Sequence, residues 1–268
     1  VVAGFQGVTE DGLMTTLGRG GTDITAAVLG VHFEAERIIY FRDADGVYSA
    51  DPKLLPVAGR RIERLDFESM MDLAEAGVPI LHPQALEIAR AHGLELELRS
   101  FRGDAGSTLV CEGPWPSPLA VWSVCLSHPI CLLSLEGLPR SIDTLARVAA
   151  LLDRTDLPLD AEIHATPRGL CLKVQAPDAD GPTLHAQVMD FLREEPHLES
   201  TLQRDCRRVT LVGKGVASVK ASKAVEQASA KLGPPLATFC GAHHRAYVVA
   251  EADGSAWLTS LHQSLIKP

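Results

Sequence analysis

The sequence predicts an α/β domain followed by two smaller α+β units. Short apolar strands alternate with amphipathic helices from residue 1 to about residue 110, which is typical of an α/β sheet. A stretch rich in Gly and Pro, residues 103 to 118, then predicts a domain boundary. Beyond it the order β-α-β-β-α occurs twice, as in ferredoxin-like domains. We therefore expect a domain over residues 1–112, a linker over 113–127, and two units over 128–204 and 205–268.

The elements of the first domain follow from hydrophobic spacing. Arg37 to Phe41 is a β-branched and aromatic run, which predicts a buried strand. Residues 67–74 and residues 85–92 each carry apolar or aromatic side chains at i, i+3, i+4 and i+7, which predicts two helices. Pro83 precedes the second of these and suits a first helical turn. The leucines of residues 94–98 alternate with charged residues, which predicts a half-buried strand.

The two later units have the same predicted pattern of strands and helices. In the first unit a helix over 142–152 is expected to bury its apolar face of Ile142, Leu145, Ala149 and Leu152. A closing strand is clear in neither unit. Residues 197–203 are a weak candidate for the first unit, and the second unit could borrow a strand from elsewhere in the chain.

The composition excludes several classes of protein. The 268 residues carry a formal charge of −9, which argues against a broad nucleic-acid surface. The sequence contains no run of eighteen apolar residues, so it predicts no membrane-spanning helix. Six cysteines occur without a C-x-x-C pair, so we expect reduced thiols in a cytoplasmic protein and no metal centre. His243 and His244 are adjacent on a strand and point to opposite faces, so they are expected to be ordinary surface histidines. Val1 to Phe5 is typical of the end of a buried strand, so we expect this chain to be part of a longer one.

A glycine-rich segment, Thr15 to Asp23, is the first candidate ligand site. Its three glycines allow a tight turn that presents backbone N–H groups to an anion. Thr22 and Asp23 then stand where N-caps belong, before the apolar helix Ile24 to Phe33, and a helix N-terminus favours a carboxylate or phosphate. Arg19 adds a bidentate group for a carboxylate. The alternative is a capped glycine turn without a ligand.

A second candidate site lies between Arg42 and Lys53, after the predicted strand, where open α/β sheets bind ligands. Asp43 and Asp45 could hold a ribose hydroxyl or Mg²⁺, Tyr48 could stack on a base, and Lys53 could reach phosphates. The alternative is an acidic surface turn, because the aspartate-proline pair near its end favours a turn by itself.

Taken together, these segments resemble the aspartate kinase family. The matching segments, in order and spacing, are GFQG at Gly4 to Gly7, TTLGRGGTD at Thr15 to Asp23, DADGVYSADPK at Asp43 to Lys53 and ILHPQALEIA at Ile80 to Ala89. GSTLV at Gly106 to Val110 resembles the end of the family's kinase domain. Residues 130–165 and the segments between 212 and 262 are similar to its two ACT domains. The implied fold is a partial three-layer α/β amino-acid-kinase domain of the carbamate-kinase-like type, followed by two ferredoxin-like βαββαβ ACT domains.

The resemblance implies an activity and a set of site residues. The family transfers phosphate from ATP, with Mg²⁺, to the side-chain carboxylate of L-aspartate, in the first step of lysine, threonine and methionine biosynthesis. The implied catalytic residues are Arg19 and Asp23, and the implied substrate-binding residues are Arg19, Gly20, Gly21 and Thr22. The implied nucleotide-binding residues are Arg42, Asp43, Tyr48, Ser49, Ala50, Asp51, Pro52 and Lys53.

Several positions depart from the family pattern. The family's lysine-phenylalanine/tyrosine-glycine-glycine segment, whose lysine contacts the phosphates, is absent. Arg42 stands where the family has Ser or Thr, Thr22 where it has Ser, and Lys53 where it has Arg, so that Lys53 keeps the charge but loses the bidentate geometry. Pro79 falls near a family lysine. We therefore expect that this chain does not phosphorylate aspartate by itself. The alternative is a non-catalytic regulatory subunit that pairs with a complete kinase chain.

The ACT resemblance implies an amino-acid effector, lysine or threonine, with Arg140, Ser141 and Asp160 as candidate contacts. The proline-glycine pair that the family has at the helix entrance is missing from both units, and in the first it is replaced by Ile142 and Asp143. Whether either unit binds an effector therefore stays open. Because ACT units pair edge to edge, we expect a homodimer.

Overall fold

The computed structural model describes residues 1–18, 20–56, 59–76, 78, 80–102, 106–113, 121–154, 159–194 and 197–266. Arg19 and Pro79 lie outside these residues, as does much of the predicted turn-rich connection.

The first part of the chain forms a small α/β domain. Its described elements are β1 (Gln6–Val8), β2 (Met14–Thr16), α1 (Gly21–His32), β3 (Arg37–Arg42), β4 (Val47–Tyr48), β5 (Arg61–Ile62), β6 (Arg64–Leu65), α2 (Phe67–Glu75), α3 (Pro83–Ala91), β7 (Glu95–Ser100) and β8 (Ser107–Val110). Four strands form one sheet in the order β3-β7-β8-β6, and β3 runs parallel to β7. The two helices predicted from apolar spacing are confirmed as α2 and α3, and Pro83 is the first residue of α3.

β3 is covered on one face only. Ile38 and Tyr40 are buried, whereas Ile39 and Phe41 are 42 % and 61 % exposed, so the prediction of a buried strand holds for one face only. The reason is that side chains alternate between the two faces of a strand, and α1 packs on the face of Ile38 and Tyr40. Gly30 makes this packing possible, because a Cβ there would lie 2.7 Å from the Cδ1 atom of Ile38.

β7 lies inside the sheet and is buried more completely than its alternating sequence predicts. Leu96 and Leu98 belong to the core, as expected, but Glu97 on the opposite face is only 4 % exposed. Its carboxylate accepts from Arg99 Nε at 2.7 Å and from Arg37 NH1 at 3.0 Å. A buried carboxylate is tolerated here because two guanidinium groups compensate for its lost hydration.

The rest of the chain forms two ferredoxin-like units that share one sheet. The described strands and helices are β9 (Ser123–Leu126), β10 (Ile130–Leu138), α4 (Ile142–Asp153), β11 (Asp160–Thr166), β12 (Gly169–Pro177), α5 (Gly181–Glu194), β13 (Glu199–Val212), α6 (Val219–Leu232), β14 (Ala237–Cys240), β15 (His244–Ala250) and α7 (Glu251–Leu265). Six strands follow the order β11-β12-β10-β13-β15-β14, and β9 also pairs with β13.

β13 closes the first unit and opens the second. Its first half pairs with β10, which confirms the weak strand candidate at 197–203, and its second half pairs with both β15 and β9. The second unit therefore does borrow its fourth strand, from Ser123–Leu126. This strand lies inside the predicted linker 113–127, and the predicted boundary between 204 and 205 falls within β13. The remaining domain limits stay predictions.

The buried face of α4 is displaced from the predicted one. Thr144, Val148 and Leu151 face the core, whereas Ile142 is 78 % and Leu145 is 38 % exposed. The apolar spacing was correct for a helix, but apolar residues occur all around α4 and do not mark one face. The prediction that Val1 to Phe5 form the end of a buried strand is also wrong, because Val1 is exposed and the first strand begins only at Gln6.

The six cysteines differ in burial. Cys131, Cys171 and Cys206 are buried, Cys111 and Cys125 are half-buried, and Cys240 is exposed. None of the described helices is long and apolar enough to cross a membrane.

Glu97 makes the stability of the first domain depend on pH. Arg99, helped by Ser107 and Arg37, lowers the pKa of Glu97 from 4.5 to about 2 in spite of its burial. The folded-state pKa is depressed, so the stabilisation is complete above about pH 4.5 and is lost as the pH falls toward 2. Between pH 7 and pH 3, the free energy of unfolding should fall by on the order of 1–2 kcal/mol more in the original chain than in the Glu97→Gln variant. Urea unfolding of both proteins at the two pH values measures this difference.

Glu95→Gln is the matched control, because Glu95 also pairs with Arg37 but is 39 % exposed. It should change the pH dependence much less, since exposed ion pairs contribute little. Equal effects of the two substitutions would contradict a special role of the buried carboxylate.

Candidate functional site

The glycine-rich turn leads directly into α1. Gly20 is the N-cap, with a left-handed φ of 75°, and α1 begins at Gly21. The prediction that Thr22 and Asp23 are N-caps is therefore wrong, since both lie within the first turn. Because Gly20 adopts the left-handed conformation, α1 begins before Thr22 and Asp23 and has no side-chain cap. The amides of Gly21 and Asp23 bond to the carbonyls of Gly18 and Gly20, so fewer N–H groups face outward than a nest would offer.

His82 packs against this turn. A Cβ at Gly20 would lie 2.7 Å from the His82 Cδ2 atom, so glycine is required by space as well as by φ. The His82 side chain caps α3 by accepting from Gln84 N, and its own amide donates to Asp23 Oδ2 at 3.2 Å. The start of α3 and the start of α1 are thereby fixed to each other.

An ion pair joins the glycine-rich turn to the end of β3. Arg42 NH2 donates to Asp23 Oδ1 at 2.6 Å, and the Asp23 side chain is only 12 % exposed. The Tyr40 hydroxyl donates to the Asp23 carbonyl at 3.1 Å, and the Arg42 guanidinium lies 5.7 Å from the centroid of the Tyr40 ring. Burial, with the nearby Asp23, raises the pKa of Tyr40, so its hydroxyl stays a donor at neutral pH. The two segments predicted to bind ligands thus meet at one place.

Asp45 is held inside the second segment. Its carboxylate accepts from the Tyr48 hydroxyl at 2.6 Å and from Arg61 NH1 at 2.9 Å. The Tyr48 hydroxyl, followed by Arg61, lowers the pKa of Asp45. Asp43 is different: its side chain is 78 % exposed, and its Oδ1 lies 3.7 Å from Arg102 NH2. Of the two candidate carboxylates for a ribose or Mg²⁺, Asp43 is the accessible one.

Ser49 and Ala50 face the second ferredoxin-like unit. Both are 2 % exposed, and Ala50 belongs to the apolar cluster that contains Leu258 and Leu261 of α7. The packing of the two domains covers the side chains of these two residues, so their predicted place in a nucleotide pocket rests on backbone atoms and stays a prediction.

Asp51, Pro52 and Lys53 form a turn. Asp51 Oδ1 accepts from the amide of Lys53 at 2.8 Å, and the Asp51 carbonyl accepts from Leu54 N at 3.0 Å. This matches the surface-turn alternative for its backbone. The Lys53 side chain is exposed, so its predicted contact with phosphates is compatible with this turn.

Comparisons with known proteins identify related sequences and structures. The model of the amino acid kinase family matches residues 1–100. Aspartokinase of Thermus thermophilus is 31 % identical over 98 % of this chain and 66 % of its own length, and Aspartokinase 2 of Bacillus subtilis is 31 % identical over 81 % and 54 %. The structure of E. coli aspartokinase III in complex with aspartate and ADP is 25 % identical and superposes with a TM-score of 0.80, over 98 % of this chain and 60 % of that one.

The chain belongs to the aspartate kinase family. It spans between about half and two thirds of the length of the curated relatives named above. The kinase-like part and the two ACT-like units of the family are both present, in the order that the motifs predict.

The effector residues predicted for the first ACT unit do not come together. Arg140 NH2 donates to the Thr166 carbonyl at 2.6 Å, and Ser141 caps α4. Asp160 lies at the other end of β11, where it accepts from Gln175 Nε2 at 2.6 Å. The length of β11 separates these contacts by about 20 Å. One chain therefore cannot offer all three residues to a single amino acid, and the effector assignment is corrected.

The glycine-rich turn is also held by residues that sequence reasoning did not single out. Tyr40 and His82 fix the position of Asp23, and only the ILHPQALEIA motif pointed to the segment that holds His82. His243 also has a structural contact, because its Nδ1 lies 3.4 Å from carboxylate oxygens of both Glu68 and Asp72. Within the described ranges, no three His, Cys, Asp or Glu side chains are grouped to hold a metal ion.

We predict that Asp23 and Arg42 are energetically coupled. A double-mutant cycle with Asp23→Asn and Arg42→Met should give a coupling free energy of about 1 kcal/mol in urea unfolding, and it should shrink at high salt. The reason is that the carboxylate is largely covered and loses its main ionic partner when Arg42 is replaced.

Asp43 and Arg102 provide the matched control, since they are a similar pair with both side chains exposed and 3.7 Å between the nearest atoms. Their cycle should give a coupling close to zero. A coupling for Asp23 and Arg42 no larger than this control would show that the ion pair does not hold the two segments together.

Proposed function

We propose that this chain supplies the substrate turn and the nucleotide loop of an aspartate kinase. Such an enzyme transfers the γ-phosphoryl group of ATP to the side-chain carboxylate of L-aspartate and forms 4-phospho-L-aspartate. The observation that carries the proposal is the ion pair of 2.6 Å between Asp23, in the substrate turn, and Arg42, at the start of the nucleotide loop. Support for the two substrates comes from the related E. coli aspartokinase III, whose structure is a complex with aspartate and ADP.

The proposed chemistry needs positioning and charge neutralisation. A carboxylate is already a nucleophile, so a general base is not required. Thr22 lies exposed in the first turn of α1, where the positive end of the helix dipole favours an anionic group. Arg42 neutralises Asp23, so that this carboxylate does not repel the carboxylates of the substrate. Arg19, outside the described residues, keeps its predicted role as the bidentate partner of aspartate.

Asp43 is the side chain best suited to Mg²⁺. Mg²⁺ in kinases binds one or two carboxylates together with phosphate oxygens. Asp43 is exposed, whereas Asp45 is committed to Tyr48 and Arg61. When the ion is bound with the nucleotide, it offsets the charge of the phosphates. Lys53 at the other end of the loop adds a second positive charge.

Activity is proposed to require a further part of the kinase domain, on the same polypeptide or on a partner. The chain matches only part of the length of its relatives, and the family's lysine-containing segment is not among its motifs. The open face of β3 supports this requirement, because Ile39 and Phe41 are exposed next to Arg42 in the proposed site. The homodimer expected through the ACT units stays a prediction.

We predict that the 268-residue chain alone gives no aspartate-dependent ADP release in a coupled assay with Mg-ATP. Fused behind the part of the T. thermophilus aspartokinase that it does not match, it should turn over. Asp23→Asn should then lower kcat by about a hundredfold, because it weakens the ion pair with Arg42 that fixes the substrate turn to the nucleotide loop, and misplaced reacting groups react slowly. Asp43→Asn should mainly raise the KM for Mg-ATP.

Glu63→Gln is the control substitution, because Glu63 is exposed and lies outside both loops. It should leave kcat and KM unchanged. Turnover by the chain alone would refute the requirement for a further segment. A fusion that folds but stays inactive, while the chain binds to a complete kinase and alters its rate, would favour the regulatory-subunit alternative.

A further inference from the structure

We propose that His262, on α7 of the second ACT unit, is a positioning residue that holds the nucleotide loop in place through the Ser49 hydroxyl. The name of the loop rests on the function proposed above, but the contact itself does not. His262 and Ser49 are 213 residues apart in sequence and belong to different domains, and the distance from Ser49 Oγ to His262 Nε2 is 3.0 Å.

Both partners are removed from water. Ser49 is 2 % and His262 is 3 % exposed. A buried polar group costs free energy unless it is hydrogen-bonded, so the hydroxyl proton of Ser49 and the Nε2 atom of His262 each need the other as a partner. Replacing either one leaves an unsatisfied group at the contact between the two domains.

The direction of the hydrogen bond follows from the other partner of Ser49. The amide of Arg60 donates to Ser49 Oγ at 3.0 Å, so the hydroxyl oxygen is already an acceptor. Its proton then has a partner when it is donated to Nε2 of a neutral His262. Burial, followed by the positive charge of Arg60, lowers the pKa of His262, which keeps the ring neutral and able to accept.

The backbone of the loop is attached to the same unit. The amide of Val124, in β9, donates to the Ser49 carbonyl at 2.8 Å, and Ser123 Oγ lies 3.4 Å from the Tyr48 carbonyl. Ala50 packs into the apolar cluster of the second unit. Residues 48–50 are therefore packed on the second unit and hydrogen-bonded to it. A shift of α7 would move the segment that lies between Asp45 and Lys53.

The test measures amide hydrogen exchange in the intact chain without nucleotide. His262→Leu and Ser49→Ala should each increase the exchange rate of the Arg60 amide by about three- to tenfold, the range expected for one hydrogen bond. The double variant should exchange no faster than either single one. His262→Gln, which can place an acceptor oxygen near the position of Nε2, should stay within about twofold of the original chain. Gln263→Ala, on the exposed side of α7, is the matched control and should change nothing.

A second readout covers the case in which His262→Leu does not fold. Nitrogen-15 NMR of the His262 ring should show an unprotonated Nε2 at pH 7, and Ser49→Ala should change its resonance. The proposal is overturned if the factors by which the two substitutions raise the Arg60 exchange rate multiply in the double variant. It is also overturned if the His262 ring resonance does not respond to Ser49→Ala.

Mg-ADP separates this proposal from the proposed function. If the original chain binds Mg-ADP, His262→Leu should weaken that binding by about the same factor as it speeds loop exchange, and His262→Gln should restore it. A chain that does not bind Mg-ADP but shows the coupled exchange would refute the nucleotide site and leave the positioning contact established. A chain that binds Mg-ADP, but in which the two substitutions change the exchange rate independently, would support the nucleotide site and refute the positioning contact.

Discussion

β13 ties the two ACT units together and also reaches the kinase-like part. Its 14 residues complete the sheet of the first unit and begin that of the second, so neither unit can move far without breaking ladder hydrogen bonds. Arg208, in the middle of β13, donates to the Ala76 carbonyl at the end of α2 at 2.6 Å and lies 3.4 Å from Asp160 of β11. Burial lowers the pKa of Arg208, and the Asp160 carboxylate opposes this effect. One strand thus connects three parts of the molecule.

The candidate site depends on that connection. The loop after β3 lies on the second unit through Ser49 and Ala50, and its other side reaches the glycine-rich turn through Arg42. The glycine-rich turn is itself fixed at Gly20, where a side chain would collide with the His82 ring. Packed, hydrogen-bonded groups therefore run without a break from the ACT units to both proposed ligand loops.

Local signals in the sequence predicted most elements, whereas partners distant in sequence could not be predicted. Apolar spacing located α2, α3 and the strands of both units, because these depend on neighbours within a turn or a strand. The sequence does not show that Ser123–Leu126 supplies the fourth strand of the second unit, since its partner β13 lies far along the chain. Motifs identified Asp23 and Arg42 singly, but their ion pair depends on how α1 packs on the sheet. The motif places Ser49 in a nucleotide pocket. Its burial against α7 depends on the contact between the domains, which local sequence does not encode.

We propose that the glycine-rich turn and the loop after β3 form one site for an anionic substrate and a nucleotide. A titration of the isotope-labelled chain with Mg-ADP, followed by L-aspartate, in nitrogen-15 NMR tests this proposal most directly. Mg-ADP should shift amide resonances between Asp43 and Lys53, aspartate should then shift those of Gly20 to Asp23, and those of β11 should not change. Shifts confined to the ACT units, or to only one of the two loops with both ligands present, would contradict it.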